Sequence, residues 1–293
     1  NLEKVVRLID ILEFFNNDDL LSKKLALKGG TAINLIVFEM PRLSVDIDLD
    51  FTEDCSRDEM LNTRTLINER ISTFMTTDGY VINPNTKTPH SLDSWVFSYM
   101  NAGGNHDNIK IEINYSMRVH VMPLEEYKVN IPFLKRITIR SLSMTELFGS
   151  KIKALIERNA CRDLYDVNNM ITHDLQLDKN LLRKIVLFYL AVGGSQKLQM
   201  EYSLENVNEI QFKQIRASLI PVLKKTENFD FATAKIRVKD YVSELLQFSE
   251  NEKSFIEEFN KRNYQPQLLF ENDEIIQRIA NHPMALWKCG IKA

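Results

Sequence analysis

The residues of this sequence best placed to do chemistry form two short runs, Lys28-Gly29-Gly30-Thr31 and, sixteen positions after Gly30, Asp46-Ile47-Asp48. A double glycine lets backbone approach a phosphate with no Cβ in the way. If a helix starts there, its unpaired N–H groups and positive dipole end make an anion cradle. Two aspartates at i and i+2 of a strand point to one face, close enough to share a divalent cation, and Mg²⁺ takes one or two carboxylates together with substrate phosphate oxygens. In-line displacement at phosphorus stabilises the attacking and leaving oxygens together, which two metal ions about 3.5–4 Å apart accomplish. A third carboxylate usually completes such a site. Glu112 is the candidate, a charge in the middle of the apolar run Ile109 to Tyr115, where it could also act as general base. Its alternative is a solvated strand face shared with Lys110 and Asn114.

Rival chemistries lack their residues. An EF-hand loop begun at Asp46 needs Gly at position six and Glu at twelve, which are here Phe51 and Arg57. There is no P-loop, no dinucleotide-binding glycine fingerprint and no HExxH among His90, His106, His120, His173 and His282. Cys55, Cys161 and Cys289 have no CxxC spacing and read as reduced thiols.

The elements that must position these residues follow from periodicity. Leu2, Val5, Val6, Ile9, Leu12 and Phe15 predict an amphipathic helix over residues 1–17. Leu25-Ala26-Leu27, the glycines and residues 31–38 read as strand, turn and helix. From Asp46 to Phe51 acids and apolar residues alternate, so a strand carries Asp46, Asp48 and Asp50 on one face and buries Ile47, Leu49 and Phe51 on the other. A helix is expected over 57–76, with strands at 80–82, 94–100, 109–115 and 136–140. Beyond Ser143 only helical periods appear, at 143–159, 162–173, 179–192, 204–225, 232–248, 251–263 and 271–281. The expected fold is α+β: residues 1–142 form a core of mixed β-sheet flanked by helices, and 143–293 an α-helical domain closing an active-site cleft. No linker separates them, so one rigid unit is expected.

The 293 residues carry a formal net charge of −3, which argues against a protein that coats nucleic acid over its whole surface. A local polyanion face is sought instead at Lys128, Lys135, Arg136 and Arg140 and at Lys151, Lys153, Arg158 and Arg162; the alternative there is a solvated face with ion pairs. No apolar run of membrane length and no secretory signal is present, so a cytoplasmic protein without membrane association is expected.

Taken together, these residues resemble the DNA-polymerase-β-like nucleotidyltransferase superfamily, whose signature is Gly-Gly or Gly-Ser at a helix start followed by Asp-x-Asp. Within it, the run Lys28 to Leu35 and the run Arg42 to Leu49 look like the AbiEii/AbiGii toxin family of bacterial abortive-infection and toxin–antitoxin systems. Ser150-Lys151-Ile152-Lys153-Ala154-Leu155, then Arg158 and Arg162-Asp163-Leu164-Tyr165-Asp166, resemble its downstream Lys and Arg-Asp-x-x-Asp motifs. The resemblance covers about residues 24–175; Asp50 as an extra acid and Glu at the third acidic position depart from it.

The resemblance implies a polymerase-β-like core and a metal-dependent nucleotidyltransferase, with Asp46, Asp48 and Glu112 holding Mg²⁺ or Mn²⁺. Gly29, Gly30, Thr31, Ser44 and Lys151 would bind the nucleoside triphosphate, Arg42 would support the loop, and Lys151 and Asp166 would complete the catalytic set. Asp166 is preferred to Asp163; without a catalytic task it would pair with Arg162. The implied biology is a phage-defence toxin with a cognate antitoxin and an RNA acceptor such as the tRNA 3′ end. The Asp pair also suits a small acceptor, as in aminoglycoside nucleotidyltransferases. A non-catalytic nucleotide-binding module is the reading from another class, and clustered acids speak against it.

Overall fold

A computed structural model describes residues 2–131 and 134–291. The expected helix over 1–17 is α1, Leu2–Asn17; Asn1 lies outside the described residues. The order continues through a short α2 (Leu21–Lys24), β1 (Leu25–Lys28) and α3 (Gly29–Ala32), which runs on as a π-helical turn over Ile33–Val37. Then come β2 (Ile47–Phe51), α4 (Arg57–Thr77), β3 (Val81–Ile82), β4 (Leu92–Met100), β5 (His106–Asn114), β6 (Glu125–Val129) and β7 (Ile137–Ser141). The helices α5 (Met144–Glu157), α6 (Cys161–Thr172), α7 (Lys179–Gly193), α8 (Phe212–Ser218), α9 (Phe231–Leu245), α10 (Glu250–Asn260), α11 (Asp273–Ile279) and α12 (Pro283–Lys288) complete the chain.

The chain divides into two compact units, residues 1–120 with 124–142, and 121–123 with 143–293. The first holds the α+β core expected from the sequence. Its seven strands form one mixed sheet in the order β3-β4-β5-β2-β1-β7-β6. The central strand β2 runs antiparallel to β1 and parallel to β5, and β1 runs parallel to β7. Strand β6, the outer partner of β7, went unpredicted because Glu125-Glu126-Tyr127-Lys128-Val129 buries only Val129. One sheet face is apolar: Leu25, Leu27, Ile47, Leu49, Phe51, Ile109, Ile111 and Ile113 are all buried. The opposite face holds the acids of β2, so the strict alternation has the consequence period two demands. Helix α4 starts on a reciprocal Ser56–Glu59 capping box, which satisfies otherwise orphaned N–H groups.

In the second unit α5 packs on α6 and α7 through Leu147, Phe148, Ile152, Leu155, Leu164, Ile185 and Phe188, each at most 1% exposed. The short segment Val121–Pro123 belongs to this unit because the fully buried Glu146 of α5 accepts hydrogen bonds from the N–H groups of Val121 and Met122, at 2.7 and 3.2 Å. The single helix expected over 204–225 is instead a 3₁₀ turn at Glu205–Glu209, α8, and a second 3₁₀ turn at Ile220–Val222. Its apolar period was real, since Leu204, Val207, Ile210, Ile215 and Leu219 are buried. Pro221 cannot continue the hydrogen-bond ladder, and Gln214 turns back to accept from the Gln211 N–H at 2.8 Å, starting a new helix there.

Candidate active site

Register brings the sequence motifs into one row. Lys28 of β1 lies opposite Asp48 of β2, Asp48 beside Glu112 of β5, and Glu112 opposite Ser94 of β4. Partners directly across a ladder share a face, so a cation and two acids stand side by side on the polar face of the sheet. Asp46 precedes the first ladder residue of β2 and is exposed, and its carboxylate has no ion pair or hydrogen bond among the described residues.

The glycine turn closes on this row. Gly29 has φ +72°, and a Cβ there would lie 2.5 Å from Oδ2 of Asp48. Only glycine allows both that left-handed backbone and so close an approach of main chain to carboxylate. At Gly30 a Cβ would meet the Arg42 guanidinium at 2.6 Å and the Ser44 hydroxyl at 3.1 Å, so both side chains flank the turn. The Thr31 hydroxyl, fully buried, donates to the Asp46 carbonyl at 2.5 Å and sits 3.0 Å from the Ser44 hydroxyl. Its side chain therefore ties the glycine turn to the aspartate motif, leaving Thr31 only its backbone N–H for an incoming anion. Asn34, buried one helical turn on, donates to the Gly30 carbonyl at 2.7 Å. Sequence reasoning gave Asn34 no role, and its polarity amid Ala32, Ile33 and Leu35 was the available signal.

Asp50, the extra acid of β2, is 2% exposed and ion-pairs with Lys28. Burial pushes its carboxyl above the ordinary range and Lys28 pulls against that shift. His120, 5% exposed, lies with Nε2 3.9 Å from Asp50 Oδ2. Burial first, and then the nearby charges of Lys28 and Arg140, lower its pKa to about 3, so it is a neutral imidazole near pH 7. Its two ring nitrogens have no hydrogen-bond partner among the described residues. Sequence reading left His120 among the scattered histidines.

The expected three-carboxylate centre is not preformed. Glu112 is Asp48's ladder neighbour, but its Oε1 pairs with Lys110 Nζ at 2.9 Å. Among the described residues no three His, Cys, Asp or Glu side chains converge to hold a metal. Asp46 and Asp48 supply carboxylate oxygens, the donor type that a hard divalent cation takes together with water and substrate phosphate.

The second unit holds the downstream motif as a buried charge cluster. Lys151 Nζ lies 2.9 Å from Asp163 Oδ1 and 3.2 Å from Asp166 Oδ2, with side-chain exposures of 8, 2 and 1%. Arg158 grips the other side of Asp163 at 2.7 Å. Burial raises the Asp163 carboxyl, but Lys151 and Arg158 outweigh it and hold it below the ordinary range. Sequence reading ranked Asp166 above Asp163; both hold Lys151. The alternative pairing of Asp166 with Arg162 is not seen: Arg162 Nε donates to the Ser218 carbonyl at 2.9 Å. The Lys151 ammonium is thus buried and doubly paired.

Most cations proposed for a polyanion face are likewise turned to internal partners. Lys135 pairs with Glu13, Arg136 donates to the Asn130 side chain, Arg140 to the carbonyls of Ser22 and Lys23, and Lys153 pairs with Glu157.

A family model described as "Nucleotidyl transferase AbiEii toxin, Type IV TA system" matches residues 11–262. Among solved structures, MenT4, a nucleotidyltransferase toxin from Mycobacterium tuberculosis H37Rv, superposes with a TM-score of 0.58. The match covers 94% of this chain and 92% of that one at 16% identity, a likeness of fold alone. Comparison with curated proteins returns no match. Among the described residues no helix is long and apolar enough to cross a membrane.

Proposed function

Because the chain belongs to the AbiEii family of nucleotidyl transferase toxins of type IV toxin–antitoxin systems, we propose that the Gly29–Thr31 turn and the Asp46, Asp48 pair form a centre that transfers a nucleotide from a nucleoside triphosphate to an RNA hydroxyl. The carrying observation is the close approach of Gly29 to the Asp48 carboxylate, whose Oδ2 lies 2.5 Å from where a Cβ would stand. It supports a pairing of the helix start with an acid, which a phosphate bound through a divalent cation requires.

In this reading the backbone N–H groups from Gly29 to Thr31 cradle the phosphates, while Arg42 and Ser44 brace the turn from behind. Asp46 and Asp48 would hold Mg²⁺ or Mn²⁺, which when bound would offset negative charge on the phosphates and the pyrophosphate. Glu112, one strand away from Asp48 and paired with Lys110, accepts the proton of the attacking hydroxyl in this reading. In the second unit, Asp163 and Asp166 hold the ammonium of Lys151, the cation that the motif resemblance assigns to the nucleotide. A tRNA 3′ end is the acceptor we favour, and the family's type IV systems imply a cognate antitoxin.

The test is incubation with each α-labelled nucleoside triphosphate, total RNA and Mg²⁺ or Mn²⁺. Label is expected on RNA from at least one nucleotide, and a chelator is expected to abolish it. Absence of label on RNA under every condition would overturn the reading; label on a small hydroxylated acceptor instead would shift it to the aminoglycoside type.

A further inference from the structure

We infer that α8 and the turn after it form the surface that holds the RNA acceptor, a single-stranded polyribonucleotide whose backbone follows Lys213, Arg216 and Lys225 and one of whose bases stacks on Phe212. The inference rests on the RNA reading above and adds where the strand lies.

Residues 210–226 contain Lys213, Arg216, Lys224 and Lys225 and no acid. Lys213, Arg216 and Lys225 are exposed and have no ion pair or hydrogen bond from their side chains among the described residues. The long helices of the same unit differ, since Lys179, Lys239 and Lys253 each lie within 3.4 Å of a glutamate. The acids flanking the segment are occupied too: Glu209 accepts from Asn159 and Glu227 from Tyr165, at 2.8 and 2.7 Å. The segment thus presents three exposed cations without ion pairs among the described residues, in a chain whose net charge is negative.

The aromatic is as informative as the cations. Phe212 is 62% exposed, and with Lys213, Arg216 and Ala217 it lines a shallow depression of about 390 Å³. Phe212 and Arg216 stand at i and i+4 and are exposed, and the neighbouring Ile215 and Leu219 are buried and anchor the segment in the core. An aromatic platform beside a track of cations is how proteins take single-stranded nucleic acid, stacking a base while phosphates run along the charges. The surface is also fixed to the motif helix: Arg162 donates to the Ser218 carbonyl and Cys161 Sγ lies 3.0 Å from the Ser218 hydroxyl. Asp163 and Asp166 follow within the next turn of α6.

The test measures binding of the full-length protein to a labelled single-stranded 12-nucleotide RNA across salt concentrations, alongside KM and kcat for RNA labelling. Phe212→Ala is expected to weaken binding by on the order of tenfold. The triple change Lys213→Ala, Arg216→Ala, Lys225→Ala is expected to reduce the slope of log K against log salt by about 2, from roughly 0.7 per phosphate contact. Both variants are expected to raise KM for RNA while kcat at saturating RNA holds and the melting temperature stays unchanged. Wild-type labelling of RNA with the same KM and salt slope in both variants would overturn the inference and leave the transfer reading standing. Loss of poly-glutamate binding in the triple variant without loss of RNA binding would assign the surface to an acidic protein and also overturn it. Failure of the wild-type protein to label RNA would instead remove the reading on which the inference rests.

Discussion

At Gly29 two constraints coincide, a left-handed backbone and an Asp48 oxygen where a Cβ would sit. Gly29→Ala is therefore expected to cost on the order of 1–2 kcal/mol in backbone strain alone. It should also push the carboxylate out of place, so transfer falls much further than the melting temperature implies; calorimetry and a transfer assay on one preparation check both. His120 makes a separate statement about pH. Its pKa is about 3 in the fold against 6.5 when free, so between those values the unfolded chain binds the proton more tightly. The stability from burying neutral imidazole is thus present above about pH 6.5 and drains away as pH falls toward 3, by up to about 1.4 kcal/mol per pH unit. His120→Leu is expected to flatten this acid limb in urea titrations taken between pH 7 and pH 4. Lys28, Asp50 and His120 also mark where sequence reading stopped. Lys28 and Asp50 were visible as residue types, but their ion pair depends on the β1–β2 register, and His120 arrives at Asp50 only through the fold.

Elements were legible where a period ran long against one buried face. Strand β2, the glycine turn and β5 follow from alternation and spacing, because an acid every second residue can be accommodated only if the other face is core. Strand β6 and helix α12 had no such signature: the first is a polar outer strand, the second six residues begun by Pro283. The run 204–225 shows the reverse error, a true apolar period across which Pro221 interrupts the helix. Glu146 of α5 illustrates what no periodicity reveals, a fully buried carboxylate on a helix that binds the Val121 and Met122 N–H groups and the Tyr189 hydroxyl. Glu146→Ala leaves these buried donors unsatisfied, at about 1–3 kcal/mol each. A drop of several kcal/mol in chemical denaturation is expected, with faster hydrogen exchange at Val121 and Met122.

For the molecule as a whole, motif resemblance reached about residues 24–175, whereas the family model reaches 11–262. The difference is physical. Under the proposed mechanism the glycines, the acids and the motif lysine admit few residue types, while the later helices need only keep a buried face, which many sequences satisfy. That latitude is also why MenT4 shares the fold at 16% identity. The central claim, that Asp48 and the glycine turn against it carry out transfer, is met most directly by single-turnover labelling of RNA with wild-type protein and with Asp48→Asn, which keeps the shape and removes the charge. A fall in rate of at least about a thousandfold, or about 4 kcal/mol of barrier, is expected, with unchanged melting temperature. An Asp48→Asn protein that labels RNA at the wild-type rate would contradict it.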